Sequence, residues 1–571
     1  MHLSFVDIAN YRGLRRLRID FDRTTVVIGE NDFGKTSLVD LLHACLGHHG
    51  DHGDTIRIAD EDIHVPADGS PRDPAVVQLV FRERREGEWE TSELEGLASA
   101  MVPGRNGREL HLTVTASPRL GEEPEVTWAL SRVDGATSPA GGRDPLLEEL
   151  RRLSPILVAR WDRFSRIPKE EPEAGDTRDA PPAGTMPDAA SENARLTADV
   201  ESVYRQLVSA RAPIAPTEVD RGIDALRQLF ALQPDLLEDR PRRRRKRDMV
   251  VAPLRNWPAA DRKLGPRGSG LDHLAVIALA GMLLEARGQG PLPRGAEPIL
   301  IIEEPEAHLH LTTLSSVMRW IDQLNAQKIL TTYSPDVLGA VPLRSIRRLS
   351  RREGQMVAHR IHRRTLSLED QRRVAFHLRV RRGSAFFARC WLLMEGETEF
   401  WLAPELARLC GYDLASESVA CVDFAQCGVA PLVKLAKDLG IAWHLLSDGD
   451  PAGQGYGKAA RDLLDGAPVD QHITVLPEVD IEHHLWAAGY DDVYRRHAFV
   501  DPDAHPRAPP GQVIDRAVHA HSKPYLALEV MEAMQDRDAA VPGILAHMIE
   551  TAVALAAEAN PLRLETPEEA P

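Results

Sequence analysis

The chain has 571 residues, with 69 Lys and Arg against 86 Asp and Glu and a formal charge of −17. At about 150 residues per domain this length suits three or four domains, and 43% hydrophobic with 27% charged residues is the balance of a globular chain. The acidic total speaks against a uniformly basic nucleic-acid binder, although phosphates respond to local charge and a basic groove can exist on an acidic chain.

Aromatic residues make up only 5%, so the cores should be aliphatic. The longest apolar stretch, 274–284, is about half of the ~20 residues that a membrane span needs. The N-terminus, MHLSFVDIANYRGL, has none of the parts of a secretory signal. The five cysteines (Cys45, Cys390, Cys410, Cys421, Cys427) contain no CxxC pair, which argues against a disulfide framework or a zinc site and for a reducing, cytoplasmic setting.

In chain order, residues 1–165 read as mixed strand and helix, with strands at 17–21, 25–28, 76–81, 110–115 and 126–130. Residues 168–193 are rich in Pro, Asp, Glu, Ala and Gly and suit a flexible excursion. Helical spacing follows over 194–237, through Val200, Val203, Tyr204 and Leu207, then Ile223, Leu226, Leu229 and Phe230. After the basic run RRRRKR at 242–247, an α/β pattern resumes near Leu264 and leads to Ile299–Ile302, whose unbroken apolar character suits a strand buried on both faces. Residues 344–389 hold fourteen Arg against Glu353, Glu369 and Asp370. A further α/β segment runs from Cys390, and a polar tail begins near Pro561. The domains expected are 1–165 and 251–385 as two halves of one α/β unit, 166–250 as an insertion, 386–560 as a second unit, and 561–571 as a tail.

The first constellation is Gly29-Glu30-Asn31-Asp32-Phe33-Gly34-Lys35-Thr36, a G-x-x-x-x-G-K-[ST] loop with a strand before it and a helix from Ser37 after it. Such a loop curls backbone N–H groups around phosphates; Lys35 reaches the β- and γ-phosphates and Thr36 coordinates Mg²⁺. Acids must complement it. The apolar strand 299–302 runs into Glu303-Glu304, which read as the metal-side acid and the base for an attacking water. These residues, with NYRGL at 10–14, Ser269-Gly270 before an apolar helix, EEPEAHLH at 303–310 and TTYSP at 331–335, resemble the SMC/RecF group of ABC-type ATPases. The resemblance implies an ATP-binding head with a helical dimerisation insert. It also implies that Ser269 and Gly270 complete the opposite subunit's site in a homodimer or higher homo-oligomer. Tyr333 stands where that group has histidine, and this puts hydrolysis in question more than binding. Gln78 is a candidate metal-sensing glutamine, with ordinary strand placement at least as well supported.

The second constellation is Glu395 after one strand and Asp448-Gly449-Asp450 after another, oxygen ligands at strand ends of the kind hard divalent metals take. It resembles the TOPRIM domain. An ABC ATPase followed by TOPRIM resembles the OLD (overcoming lysogenisation defect) family, which includes the Gabija defence nuclease. By that resemblance Glu399, Asp480 and Glu482 join Glu395, Asp448 and Asp450 as ligands for two Mg²⁺ or Mn²⁺ ions, and Lys523 stabilises the transition-state phosphate. The histidine pairs His48-His49, His308/His310 and His483-His484 lack metal-site spacing and read as structural. The basic segments 242–247 and 344–389 are the candidate DNA contacts.

The resemblance implies an ATP-regulated, metal-dependent endonuclease that cleaves DNA, acts in antiviral defence, has no membrane partner and is compatible with a helicase partner. Two alternatives stand beside it: a TOPRIM nuclease acting on RNA such as tRNA, and an ATP-switched sensor without nuclease activity.

Overall fold

The computed structural model describes residues 1–160 and 296–559 apart from 48–57, 67–69, 105–106, 120–121, 132–136, 141–143, 308, 325, 353–354, 382, 501–506 and 538–540, together with five isolated positions between 161 and 295. The expected flexible stretch, the helical insert, the basic run 242–247, the Ser269-Gly270 pair, His48-His49 and His308 lie outside the described residues. The described chain divides into two compact units, one up to Leu349 and one from Ser350.

In the first unit, period-two burial builds an antiparallel sheet. Its strands are β1 (His2–Tyr11), β2 (Leu14–Asp20), β4 (Ala75–Arg82), β5 (Met101–Gly104), β6 (Gly107–Arg119), β7 (Glu122–Ser131) and β8 (Thr137–Ala140). The order is β2-β1-β4-β6-β7-β8, with β5 on β6. A second sheet is parallel in the order β12-β3-β11-β10-β9, from β3 (Thr24–Ile28), β9 (Ile156–Arg160), β10 (Ile299–Glu303), β11 (Gln327–Thr331) and β12 (Ile346–Arg352). Every residue of β11 and the first four of β10 are buried, as the continuous apolar run requires. Parallel strands bring their carboxyl ends to one edge, where ligands of such sheets bind. The ends of β3, β10 and β11 carry the phosphate loop, Glu303-Glu304 and Thr332-Tyr333.

The second unit includes β13 (Gln355–Arg360) and a four-stranded parallel sheet in the order β15-β14-β16-β17. These strands are β14 (Cys390–Met394), β15 (Val419–Asp423), β16 (Ala442–Ser447) and β17 (Ile473–Val475). Helix Gly543–Glu558 packs on β14 and β16 and helix Glu397–Leu409 packs on Lys523–Asp536; their apolar faces share one core with Leu392, Met394, Leu485 and Val530. Burying that core against the sheet sets the strand ends, and with them the acids.

The Arg-rich segment divides on folding. Arg347 is buried and donates to the carbonyls of Asp20 and Arg344 and to the Asp22 carboxylate. Arg348 is also buried, whereas Arg373 is exposed and paired with Glu369. The segment is therefore not a uniform basic surface.

Candidate functional site

Each unit carries one constellation. In the first, Gly29 follows β3 so closely against β12 that an added Cβ would sit 2.9 Å from the Leu349 carbonyl oxygen. Asp32 and Gly34 take left-handed backbone (φ 63° and 80°), which curls the loop into helix Lys35–Leu46. Asn31 and Thr36 are exposed and Ser37 is half-buried. Lys35 is buried, and its Nζ donates to the carbonyls of Gly29 (2.7 Å) and Glu30 (2.8 Å). Burial lowers its pKa to about 8, against the opposing pull of Glu304, Asp32 and Glu30.

Facing the loop chemically are the ends of β10 and β11. Glu303 closes β10, and Glu304 turns the chain with a left-handed φ of 46°, its N–H donating to the Thr331 carbonyl at 2.9 Å. A non-glycine residue in this region is a local strain and marks a position held by its surroundings. Glu306 is a residue that sequence reasoning did not assign. Its Oε1 accepts from the Thr332 hydroxyl (2.7 Å) and from the Tyr333 N–H (2.9 Å), fixing the end of β11. The Tyr333 ring lies 3.9 Å from Lys35 Nζ, and burial followed by Glu304, Asp32, Glu303 and Glu306 pushes its phenol up to about 12. Gln78 sits mid-strand in β4, opposite Asp7 and Thr113. Among the described residues no hydrogen bond ties it to the phosphate loop.

In the second unit, β14 delivers Glu395, and Glu399 folds back in the first turn of the next helix to accept the Gly396 N–H at 3.2 Å. β16 delivers Asp448. The turn after it demands glycine, because a Cβ at Gly449 would lie 2.2 Å from the Glu478 carbonyl oxygen and one at Gly453 would lie 2.1 Å from that of Asp448. Asp450 caps helix Pro451–Arg461 through the Gly453 N–H at 2.6 Å. After β17, Asp480 caps the short helix Ile481–Leu485 and accepts from the His483 N–H (2.8 Å) and Nδ1 (2.6 Å). Buried Glu482 meets Lys523 Nζ at 3.1 Å and accepts from Thr398 Oγ1 at 3.4 Å.

The six acids and Lys523 share one electrostatic neighbourhood. Burial, then Glu399, Glu395, Asp480 and Glu482, raises Asp448 to about 8. Burial, then Asp450, raises Glu395, against Lys523. Burial also leads the rise of Glu399, with Glu482 and Glu395 adding to it. Burial works against the Lys523 charge, but Glu482, Asp480 and Glu399 raise it overall.

The donor set suits hard divalent ions: it is all carboxylate, and Glu395 Oε2 and Glu482 Oε2 are buried without a hydrogen bond among the described residues. Among those residues no three His, Cys, Asp or Glu already stand at metal-holding distance. Asp450 and Asp480 are turned to cap helices and Glu482 to Lys523, so the carboxylates have to rotate to close on a cation.

His483 and His484 lie on the helix Ile481–Leu485, where they pair with Asp480 and Glu478. Thr398, Glu478 and the buried Ser447 hydroxyl are also parts of this neighbourhood that the spacing does not announce.

A parallel sheet with a phosphate loop and paired acids, followed in the chain by a parallel sheet with its acids at the strand ends, is the layout of an ATPase-head fold joined to a TOPRIM domain. The chain belongs to the family described as "Protein of unknown function (DUF2813)", whose model matches residues 1–385. The model "Overcoming lysogenization defect protein-like, TOPRIM domain" matches 386–450. The chain is 33% identical over 569 residues to "Uncharacterized protein YbjD" of Escherichia coli (strain K12), covering 97% of this chain and 99% of that one. Among solved structures, the C-terminal region of the Xanthomonas campestris pv. campestris OLD protein matches 30% of this chain and 95% of that one, at 18% identity and a TM-score of 0.25. An SmcHead bound to the C-winged helix domain of ScpA matches 64% and 98%, at 14% identity and a TM-score of 0.34. No helix among the described residues is long and apolar enough to cross a membrane.

Proposed function

We propose that the protein is an ATP-binding, divalent-metal-dependent endonuclease that hydrolyses DNA phosphodiester bonds, with the nucleotide state regulating cleavage. The observation that carries this reading is that Glu395, Glu399, Asp480 and Glu482 lie near enough to Asp448 to add to the effect of burial and push its carboxyl up to about 8. Such mutual repulsion is costly unless cations or protons relieve it. Glu395, Asp448 and Asp450 would hold one Mg²⁺ or Mn²⁺, with Glu399, Asp480 and Glu482 available for a second. The bound metals would supply an activated water and stabilise the leaving oxygen.

The chain's own residues then have separable tasks. Lys523, paired with Glu482 at 3.1 Å, would pair with the charge that develops on the phosphate, giving up part of that contact. Thr398 holds Glu482 as Lys523 turns. In the first unit Lys35 and Thr36 would take the nucleotide phosphates and their Mg²⁺, with Glu303 on the metal side and Glu304 next to the attacking water. Two heads would pair, with Ser269 and Gly270 of each serving the opposite nucleotide. The OLD-type resemblance supports a role in defence against phage.

The test is incubation of supercoiled plasmid with Mg²⁺ or Mn²⁺, with and without ATP. Nicked or linear product from the wild type, abolished by Glu395→Ala, is the expected result. Intact plasmid under every condition, or cleavage surviving Glu395→Ala, removes the assignment. A parallel RNA of the same sequence identifies the polymer.

A further inference from the structure

Tyr333 has a contact of its own with the phosphate loop. Lys35 is 5% exposed, and its ammonium has three donors. Two of them reach the carbonyls of Gly29 and Glu30. The face that remains is covered by the Tyr333 ring, 3.9 Å from Nζ to the centroid. An aromatic face on an ammonium is an attractive contact, strongest where water is excluded. The ring is held there by its backbone. The Tyr333 N–H and the Thr332 hydroxyl both donate to Glu306 Oε1, the Ser334 N–H donates to Thr332 Oγ1 at 2.9 Å, and Ser334 caps helix Pro335–Ala340. A phosphate-loop lysine serves the β- and γ-phosphates. Phosphate oxygen and aromatic ring therefore compete for one face of one ammonium.

We propose that Tyr333 is a displaceable cap on Lys35, a positioning residue that sets nucleotide affinity by giving up the ammonium to the β- and γ-phosphates. The inference rests on the nucleotide-binding reading above. The cap makes binding weaker than the loop alone would give, and it makes the loss depend on phosphate number. A nucleotide without β- and γ-phosphates does not reach Lys35 and has no cap to displace.

The experiment is fluorescence titration of the full-length protein with MANT-ATP, MANT-ADP and MANT-AMP in Mg²⁺, for the wild type, Tyr333→Phe, Tyr333→Ala, Tyr333→Leu and Lys35→Ala. Phe keeps the ring face and should bind ATP within about twofold of the wild type. Ala and Leu remove it and should bind ATP and ADP about 3- to 30-fold more tightly, with AMP unchanged. Leu keeps bulk without a ring face, so agreement between Leu and Ala separates the cation contact from simple obstruction. ATP binding by Tyr333→Ala that equals or falls below that of the wild type, with Lys35→Ala still abolishing it, overturns the cap and leaves the nucleotide site standing. Wild-type protein that takes up no MANT-ATP, and is indistinguishable from Lys35→Ala, overturns the nucleotide site itself.

Discussion

Replacing Asp448 by Asn in metal-free protein should stabilise the second unit, and the gain should grow with pH. The folded protein holds the Asp448 proton to about pH 8, whereas its ordinary value is 3.8. Between those values the unfolded chain binds fewer protons than the folded one, so this carboxylate makes stability fall as pH rises through the window. At about 1.36 kcal/mol per unit, the ceiling is roughly 6 kcal/mol. Asp448 is only half-buried, and water screens the group, so about 2 kcal/mol is the figure to expect at pH 8. For a unit of this size that is about 4–8 °C in the midpoint of its thermal transition, shrinking to about 1–2 °C at pH 5. The assay is thermal melting in EDTA from pH 5 to 8, for the wild type and Asp448→Asn. Glu395 and Glu399 leave a residual slope in the variant. Adding Mn²⁺ at pH 8 should raise the wild-type midpoint and leave the variant largely unmoved. A difference that is flat with pH, or an Asn variant less stable at pH 8, would show that the acids do not share the field described above.

Three other outcomes follow from the same geometry. Lys523→Met leaves the buried Glu482 carboxylate without its cation and should cost about 1–3 kcal/mol; adding Glu482→Gln should restore most of that in melting experiments without restoring cleavage. Gly449→Ala drives a Cβ to 2.2 Å from the Glu478 carbonyl oxygen, a backbone clash that should cost more than about 3 kcal/mol, read by urea unfolding of the second unit against Gly455→Ala, a helical position with open space where alanine should stabilise by up to about 1 kcal/mol. Nucleotide affinity should fall as pH rises past about 8, because Lys35 loses its proton there unless a phosphate holds it. MANT-ATP titrations from pH 7 to 9.5 should therefore weaken by up to about tenfold per unit above 8, and a constant Kd over that range would contradict the lowered lysine.

Much of the architecture is legible because phosphate and metal chemistry fix spacing. The phosphate loop needs glycine where the backbone turns left-handed, and Gly34 does so at φ 80°. A strand buried on both faces has to be apolar throughout, and 299–302 is. The acids at strand ends are legible for the same reason, since a parallel sheet delivers its carboxyl ends to one edge. What spacing does not reveal is orientation. Asp450 and Asp480 satisfy helix ends, and Glu482 is turned to Lys523, although in sequence all three read simply as ligands. Nor does it reveal that Glu306, a carboxylate in the same string as Glu303 and Glu304, anchors Thr332 and Tyr333. Nor does spacing show that His483 and His484 lie on a short helix, which Asp480 caps three residues ahead of His483.

The charge of −17 takes on a different meaning once the charges are placed. Arginines that look like a polyanion track in sequence include Arg347 and Arg348, which are buried, and Arg347 ties β12 to the Asp20 carbonyl and the Asp22 carboxylate. Positive charge by count therefore overstates the surface open to DNA. Negative charge by count understates what the second unit can attract, because its acids are concentrated where burial and their neighbours raise the proton affinity of Glu395, Glu399 and Asp448. At neutral pH that cluster holds a proton, and on the proposed reading bound divalent cations would displace it and offset most of the negative charge that repels phosphate. On that reading, recognition of a phosphodiester at this site would be conditional on metal. Binding of a short single-stranded DNA should be weak in EDTA and should tighten with Ca²⁺, an ion that fills oxygen sites, and Asp448→Asn together with Glu395→Gln should lose that increment while keeping whatever contacts the remaining arginines provide.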